Sequence, residues 1–423
     1  MTRRADIERL LPWLLSLLAV LVWVGPLQWV SGAVPQISDI PTYEGAYAQM
    51  AAGNLPYLDF SLEYPPGAAA IFWAAGVLPG DYDVAFSFLM MVALVLTVIP
   101  VTLTARALGL SVARQAAAGG ITACIPLLLG GLVSTRFDLV LAALIAWMLW
   151  AAVTDRMTTA WVMLALAVVV KLVPLAFIPV LAIVHIRRHG GRDARRSALI
   201  GLAVLAVLII PVALLAPQGL WDSVAYHLDR PLQLESSGAA YLMGMRLLAG
   251  VPLAVETSFG SQGLAGGAPD LMALISTIAL VLLVLAIALT VLRLLSVQPP
   301  SADSALFVAA IAATSIALLV AGKVLSPQFL VWIIPSAVLI GGRFGWASTW
   351  VAMVSMLLTQ AYFPSLYWRL VALQGPEMAL LVLRDAVLII LLALVWPRRG
   401  MESQLRDAPG AQARGRPVPK PSG

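Results

Sequence analysis

The feature that most constrains the fold is a series of long apolar runs that recur along almost the whole chain. Hydrophobic residues make up 61% of the 423 residues and charged residues only 11%, and the mean hydropathy is +0.94. Soluble domains carry about 25% charged residues, so this composition indicates repeated membrane crossings. Because a crossing helix needs roughly 20 apolar residues, the runs predict an all-α polytopic membrane protein with about 12 transmembrane helices.

The basic residues predict how these spans are oriented. Arg3, Arg4 and Arg9 precede the first run, residues 11–30, and the next basic residue is Arg106. Since Lys and Arg are retained in the cytoplasm, we expect the amino terminus inside and the stretch after the first span outside. The net charge of +5 follows largely from arginines in cytoplasmic connectors, so no nucleic-acid partner is expected.

The chain is expected to form one membrane domain, residues 1–396, and a disordered cytoplasmic tail, residues 397–423, rich in Pro, Gly, Ala and Arg. The amino terminus resembles a signal peptide, but no small-residue cleavage site follows, so we predict an uncleaved first span. Cys124 is the single cysteine, which excludes an intrachain disulfide. The three histidines form no zinc-type cluster.

The loop after the first span is unusual because acids and tyrosines are concentrated in it. It holds four of the nine tyrosines of the chain within 22 residues, together with four carboxylates. Carboxylates among aromatic rings suit a substrate that has hydroxyls to bind and an apolar ring face to stack upon. We therefore interpret this loop as the working part of the molecule. Its acids and tyrosines are Asp39, Tyr43, Glu44, Tyr47, Tyr57, Asp59, Glu63 and Tyr64.

Three segments depart from a simple series of spans. Residues 158–186 are apolar between basic flanks and are interrupted by Lys171 and Pro174, which predicts two short helices around a protein-lined cavity. Residues 67–78 are too short for a span and predict a re-entrant or interfacial helix. Residues 241–252 predict an external helix, and residues 260–269 a Gly-rich flexible connector.

Several cations fall on the predicted outer side, against the positive-inside trend. Cations at helix ends are candidates for holding a phosphate, and a carboxylate among them is a candidate general base. Structural interpretations remain open for each group. Arg136 and Asp138 can be an interfacial pair, and Lys171 can snorkel towards headgroups. His227 with Asp229 can cap a helix, as can Asp39, since Pro41 suits a first turn.

Six short motifs, taken in order, resemble those of the bacterial glycosyltransferase family 87, a family of polytopic GT-C enzymes. The resemblance covers about residues 10–396. The motifs are Ser38–Asp39 with Tyr43, residues 53–60 (GNLPYLDF) with 63–66 (EYPP), 136–138 (RFD), 171–174 (KLVP), 227–231 (HLDRP) with 235–236 (ES), and 323–329 (KVLSPQF).

The resemblance implies a GT-C fold whose catalytic loop lies outside the cytoplasm between the first two spans. Asp39 corresponds to the catalytic base of such enzymes, and Arg136, Lys171 and Lys323 correspond to cations that hold the lipid phosphate. Many GT-C loops carry paired acids and use a divalent metal, whereas here Ser38 precedes Asp39; we therefore expect no metal and no other cofactor. The remaining expected substrate-binding residues are Tyr43, Glu44, Asp59, Glu63, Tyr64, His227, Arg230 and Gln328.

The resemblance also implies the activity and its partners. We expect transfer of a sugar, with mannose favoured, from a polyprenyl-phosphate donor to a glycolipid or lipoglycan acceptor, within the lipids of a bacterial inner (plasma) membrane and on its extracytoplasmic side. A lipid-linked sugar flippase or transporter is the alternative function. It predicts charged or broken helices near the bilayer midplane and an internal repeat. A structural or assembly subunit is a third possibility.

Overall fold

The computed structural model describes residues 2–27 and 37–399, and in this part of the chain helices account for nearly all regular structure. The helices are α1 Thr2–Val22, α2 Ile40–Ala51, α3 Pro66–Gly76, α4 Tyr82–Ala107, α5 Val112–Ala123, α6 Ile125–Leu129, α7 Asp138–Val153, α8 Met157–Val170, α9 Ile178–Leu215, α10 Pro217–Asp229, α11 Ser237–Ala249, α12 Gly267–Val297, α13 Asp303–Ala321, α14 Ile334–Ala337, α15 Gly345–Tyr362, α16 Tyr367–Val371 and α17 Gly375–Val395. Short 3₁₀ turns lie at Gly130–Val133, Val173–Phe177, Pro300–Ala302, Pro327–Ile333 and Gly342–Phe344, and a π turn follows α1 at Trp23–Leu27.

Six helices among the described residues are long and apolar enough to cross a membrane, and a seventh span results if α5 and the helical segment Ile125–Val133, bent by 49°, are one span. Three shorter apolar helices accompany them: Asp138–Val153, Met157–Val170 and Pro327–Ala337. The prediction of a polytopic helical membrane protein is confirmed, whereas the count of about 12 spans is not. Parts of two predicted segments, residues 28–30 of the first span and residues 400–423 of the tail, lie outside the described residues.

The spans differ in how much of their surface the protein itself covers. In Pro300–Ala321, which contains α13, 78% of the most apolar window is buried inside the structure, whereas in Val173–Leu215 only 6% is buried. Because both are strongly apolar, α13 lies at the centre of the bundle and α9 offers its side chains to lipid. Long exposed apolar surface is expected of a helix whose solvent is hydrocarbon.

The segment around Lys171 breaks as the sequence predicts. α8 ends at Val170, Lys171 has extended backbone (φ −151°, ψ 143°), and a 3₁₀ turn at Val173–Phe177 leads into α9. The following helix continues much further than predicted. Residues 185–196 are helical apart from Gly190, whose φ of +83° divides α9 into two helices.

Short elements between the spans form a cap at one end of the bundle. α2 and α3 pack on each other, and α10 crosses close to the loop before α3, since a side chain at Gly219 would meet the Tyr57 carbonyl at 1.9 Å. The expected external helix is present as α11. The expected flexible connector is not, because residues 254–265 form an antiparallel hairpin, β1 Ala254–Ser258 and β2 Ser261–Ala265.

The two ends of the bundle carry different charges. α7 runs away from the cap and α8 returns to it, so that Asp138 and Lys171 lie together at the cap. The opposite end holds basic residues that include Arg188, which lies 3.8 Å from both Asp155 and Asp303. Carboxylates and aromatic residues of the first predicted loop therefore lie at the end away from this basic cluster.

Candidate active site

The site begins with an ion pair between Asp39 and Arg136, which are far apart in the sequence. Arg136 Nε lies 3.0 Å from Asp39 Oδ2, and the Arg136 side chain is almost completely buried while that of Asp39 is one-third exposed. The Nε–H is not aligned with any acceptor among the described residues. Arg136 is oriented instead through its Nη1, which donates to Thr135 Oγ1. A buried guanidinium with an unsatisfied donor can bind an anion placed beside Asp39.

The carboxylate of Asp39 does not cap the helix that it precedes. Asp39 is the residue before α2, but no hydrogen bond joins its side chain to that helix's backbone. The backbone carbonyl of Asp39 accepts from the amides of Thr42 and Tyr43, and Ser38 Oγ accepts from the Ile40 amide. The helix start is thereby stabilised without the carboxylate, which stays available to Arg136 and to chemistry.

The electrostatic surroundings of Asp39 raise the pKa of its carboxyl group. Burial is the largest cause, Arg136 opposes it, and the carboxylates of Asp138 and Glu63 add to it. The hydroxyl of Tyr43, 3.3 Å from Asp39 Oδ2, lowers the pKa slightly by donating to the charged form. A carboxylate with a raised pKa is a stronger proton acceptor than an exposed aspartate.

Lys171 lies next to this pair in an aromatic enclosure. Its Nζ is 2.6 Å from Asp138 Oδ1, to which Trp332 Nε1 also donates at 2.7 Å. The rings of Phe137, Phe329 and Trp332 surround the ammonium group at 4.8 to 5.0 Å. Asp138 thus pairs with Lys171 and not with Arg136, so the suggested interfacial pair of Arg136 and Asp138 is absent.

The ion pair of Lys171 and Asp138 inside this enclosure is expected to contribute to the stability of the fold. Asp138→Asn leaves the Lys171 cation without its carboxylate in a mostly dry site, and we expect a loss of about 3–5 kcal/mol. The double variant Asp138→Asn with Lys171→Met removes both charges and is expected to recover most of that loss. Thermal unfolding in nanodiscs measures both, and Trp332→Phe, which deletes one donor and keeps a ring, is the control. Equal losses in the single and double variants would contradict the pairing.

A second group of site residues comes from α10 and the loop before α3. Glu63 is half-buried, lies close to Asp39, and interacts with the Tyr226 hydroxyl and with His227. Burial lowers the pKa of His227, and the neighbouring Arg230 lowers it further. Neutral His227 therefore offers one donor and one acceptor beside the carboxylate of Glu63.

The predicted residues Arg230, Lys323 and Gln328 lie around this second group. Arg230 Nη2 donates to Ser261 Oγ at 2.8 Å, and Lys323 Nζ donates to the Leu228 carbonyl. Burial lowers the pKa of Lys323, while Asp229 opposes that effect. Gln328 is half-buried in the turn Pro327–Ile333. In this structure the Lys323 ammonium group is bound to backbone at the cap.

The other predicted substrate-binding residues take different positions. The Tyr43 ring is buried, stacked on Phe72 at 4.4 Å, so it supports Asp39 from the core and presents no face to a substrate. Tyr64 contacts Tyr43 edge-on and is also largely enclosed. Glu44 is exposed near Tyr82, and Asp59 Oδ2 accepts from the Leu55 amide of its own turn. Neither acid is brought to Asp39.

A buried network beneath the cap was not predicted. Glu235 is fully enclosed, and Tyr362 donates to its Oε1 at 3.2 Å. Arg384 Nη2 donates to the Glu235 backbone carbonyl at 2.6 Å and contacts Asp385, to which Ser237 also donates. The signal in the sequence is that Arg384 and Asp385 are the only charges in residues 378–396, since charges inside a span are rare without a role.

Glu235 gives the fold a predictable pH dependence. Burial raises its pKa to about 7 from 4.5, although Arg384 and the Tyr362 hydroxyl lower it in part. The folded state therefore holds the proton more tightly than the unfolded state, and stability falls as pH rises from 4.5 to about 7. We expect Glu235→Gln to remove about 3 kcal/mol of this dependence.

The measurement is thermal unfolding at several pH values across that range, with Glu256→Gln on β1 as a matched control. The Glu235→Gln curve should be flatter than that of the wild type, and the control curve should follow the wild type. Parallel curves for Glu235→Gln and wild type would contradict the raised pKa.

No group of three or more His, Cys, Asp or Glu side chains among residues 2–27 and 37–399 is arranged to hold a metal ion. The acids of the first loop are instead spread over the cap, with Asp39 and Glu63 inside it and Glu44 and Asp59 on its surface.

Comparison with known protein families identifies a match. The model of glycosyltransferase family 87 matches residues 62–322, which is more than half of the chain. The match includes Glu63, Arg136, Lys171, His227 and Arg230 and begins after Asp39. No curated protein matches the chain.

Proposed function

Because this chain belongs to glycosyltransferase family 87, a family of GT-C membrane enzymes, we propose that it transfers mannose from a polyprenyl-phosphate donor to a glycolipid or lipoglycan acceptor. The transfer inverts the anomeric carbon, needs no metal, and uses Asp39 as general base. The site faces away from the cytoplasm of a bacterial inner membrane.

The observation that carries this proposal is the pairing of Asp39 with Arg136 at the cap. A carboxylate that is one-third exposed and has a raised pKa lies 3.0 Å from a buried guanidinium that has an unsatisfied donor. A base is needed where the acceptor hydroxyl attacks, and a cation is needed where the phosphate leaves. Both groups are present at the end of the bundle opposite the arginine-rich end, joined as an ion pair that opens when the acceptor and the phosphate take opposite faces of the anomeric carbon.

The transfer step follows from these positions. Asp39 takes the proton of an acceptor hydroxyl, and the acceptor oxygen forms a bond to the anomeric carbon on the face opposite the phosphate. The bond between that carbon and the phosphate oxygen breaks, and its electron pair leaves with polyprenyl phosphate. Arg136 stabilises the charge that develops on the leaving phosphate, and its move towards the phosphate releases Asp39.

Lys171 and Lys323 take supporting roles in the donor site. Lys171 is already neutralised by Asp138, so it contributes to phosphate binding through the donor hydrogens that remain after that pairing. Lys323 is held by the Leu228 carbonyl at the edge of the cap. We propose that it reaches the phosphate only when the donor displaces that contact.

The proposed orientation of the bundle in the membrane is based on the distribution of its arginines. The end opposite the cap holds Arg106 in the last turn of α4, Arg156 just before α8, and Arg188, which donates to the Ala152 carbonyl at the end of α7. Such an excess of arginine is expected on the cytoplasmic side. The cap then lies outside, where polyprenyl-phosphate sugars would be presented. Labelling of a single cysteine introduced at exposed Asp59, in intact cells of a Cys124→Ser background, tests this side directly.

The activity assay uses purified protein, radiolabelled polyprenyl-phosphate mannose and a bacterial lipid extract. We expect labelled glycolipid, formed equally with and without EDTA. Loss of product in EDTA with recovery on adding Mg²⁺ or Mn²⁺ would contradict a metal-independent reaction while leaving the transferase intact.

A flippase is supported by one specific observation, since Arg384 and Asp385 place charges inside a predicted span. Both side chains are buried and tied to Glu235 and Ser237, so they suit a structural network better than a transport path. The assay separates the functions, because donor movement across a vesicle without labelled product indicates a flippase.

A further inference from the structure

The hairpin of β1 and β2 is held against α10 by the same residues that line the candidate site. Tyr226 donates its hydroxyl to the Phe259 carbonyl, and Arg230 donates to Ser261 Oγ. The hairpin is also tied to the chain after α10, since the Leu234 amide donates to the Gln262 carbonyl. Its tip is therefore a fixed part of the cap and not a free loop.

The backbone at this tip is strained, because a phenylalanine occupies a position with left-handed backbone dihedral angles. Phe259 and Gly260 both have positive φ, +50° and +62°, as in a two-residue hairpin turn that favours Asn, Asp or Gly at the first position. A phenylalanine there costs stability that an asparagine would not. Strained residues of this kind persist most often at functional sites.

The Phe259 ring contacts Tyr226, and Tyr226 borders the candidate active site. The two ring centroids are 5.2 Å apart, and Phe259 is only half-buried. Tyr226 in turn interacts with Glu63, which neighbours Asp39, and its ring lies 5.5 Å from that of His227. Two half-buried rings inclined at 66° to each other are thus present, and Tyr226 brings them next to a carboxylate and an imidazole. This combination suits a sugar ring with one apolar face and several hydroxyls.

We propose that Phe259 is a specificity-determining residue that, with Tyr226, forms an aromatic platform for a sugar ring of the acceptor. This inference rests on the proposed function and adds to it the residues that would bind the sugar of the glycolipid or lipoglycan acceptor beside Asp39. The two rings belong with Glu63 and α10, whereas Arg136 and Lys171, two of the cations proposed for the donor phosphate, lie at the start of α7 and the end of α8.

The test uses octyl α-mannoside as the acceptor probe at saturating polyprenyl-phosphate mannose. Phe259→Asn removes the ring and suits the left-handed turn, so its melting temperature should equal or exceed that of the wild type. The KM for octyl mannoside should rise about tenfold, as expected for about 1.4 kcal/mol of lost contact, with the donor KM unchanged. Phe259→Tyr, which keeps the ring, should retain a KM close to that of the wild type.

Gly260→Ala is the matched control for strain. A side chain at this position would meet only the Tyr226 hydroxyl, at an ordinary 3.7 Å, so the variant adds backbone strain without altering the ring. We expect a lower melting temperature and an unchanged KM for octyl mannoside, the reverse of Phe259→Asn.

The possible outcomes distinguish a failure of this inference about Phe259 from a failure of the proposed transferase function. An unchanged KM in Phe259→Asn, or a fall in its melting temperature without a change in KM, would mean that the ring only stabilises the hairpin. Wild-type transfer to an unglycosylated lipid but not to octyl mannoside would overturn the platform alone. Absence of product with both acceptors and with the lipid extract would instead overturn the proposed function.

Discussion

Asp39→Asn is expected to reduce sugar transfer by about 10³-fold, within the usual contribution of a general base. The amide has the shape of the carboxylate and still accepts a hydrogen bond from Arg136 or Tyr43, but it cannot take a proton. The fall should therefore lie in kcat, with the KM for the polyprenyl-phosphate donor close to that of the wild type. Initial rates with labelled donor at saturating acceptor measure it.

Asp59→Asn is the matched control, because Asp59 lies in the same predicted loop but its carboxylate accepts from the Leu55 amide of its own turn. It should retain near-normal transfer. Normal transfer by Asp39→Asn would remove Asp39 as the base. A loss in Asp39→Asn together with a collapse of the folded fraction on gel filtration would point to a structural role instead.

The pH profile provides a second measure of the same group. Burial raises the pKa of Asp39 above its ordinary 3.8, and only the charged form accepts a proton. Activity should therefore be full above that raised pKa and should fall as pH decreases through it, at a higher pH than an exposed aspartate would give.

Arg136→Gln is expected to have the second largest effect, a loss of about 10²–10³-fold in kcat/KM for the donor. This is the range found when one preorganised donor to a developing negative charge is removed. Arg136 also lowers the pKa of Asp39, so without it that pKa rises further. The acid limb of the pH profile should consequently move to higher pH, which a purely structural change would not produce.

Two variants complete this test. Arg136→Lys keeps the positive charge but loses the planar fork, so its acid limb should remain close to that of the wild type while part of the donor kcat/KM is lost. Arg246→Gln removes another arginine that lies at the end of α11 and should change neither quantity. An Arg136→Gln profile with an unshifted acid limb would contradict the electrostatic coupling of Arg136 to Asp39.

The helical membrane character of this protein followed from its composition and from the order of its apolar runs. Apolar runs determine where helices cross a bilayer because hydrocarbon tolerates no unpaired backbone groups. The break at Lys171 was also predictable, since a charge and Pro174 interrupt a single apolar run. The apolar runs and the interruption at Lys171 are both local features of the chain, so they can be read from the sequence without knowledge of the folded structure.

The pairing of side chains was decided by packing between distant segments. The sequence placed Arg136 beside Asp138, yet Arg136 contacts Asp39 and Asp138 contacts Lys171 and Trp332. Neighbours along the chain point in different directions where a helix begins, so adjacency does not specify partners. In the same way, the buried network joins Glu235, in the turn before α11, to Arg384 in α17.

Exposure was likewise a property of the tertiary structure alone. Tyr43 and Glu44 are adjacent and equally plausible in the sequence, but α2 turns Tyr43 into the core and Glu44 to the surface. A glycine-rich segment that indicated a loose connector became an ordered strand, because residues 232–234 offered backbone partners to β2. Hydropathy determined which segments enter the membrane, while contacts between those segments determined which of their polar side chains meet at Asp39.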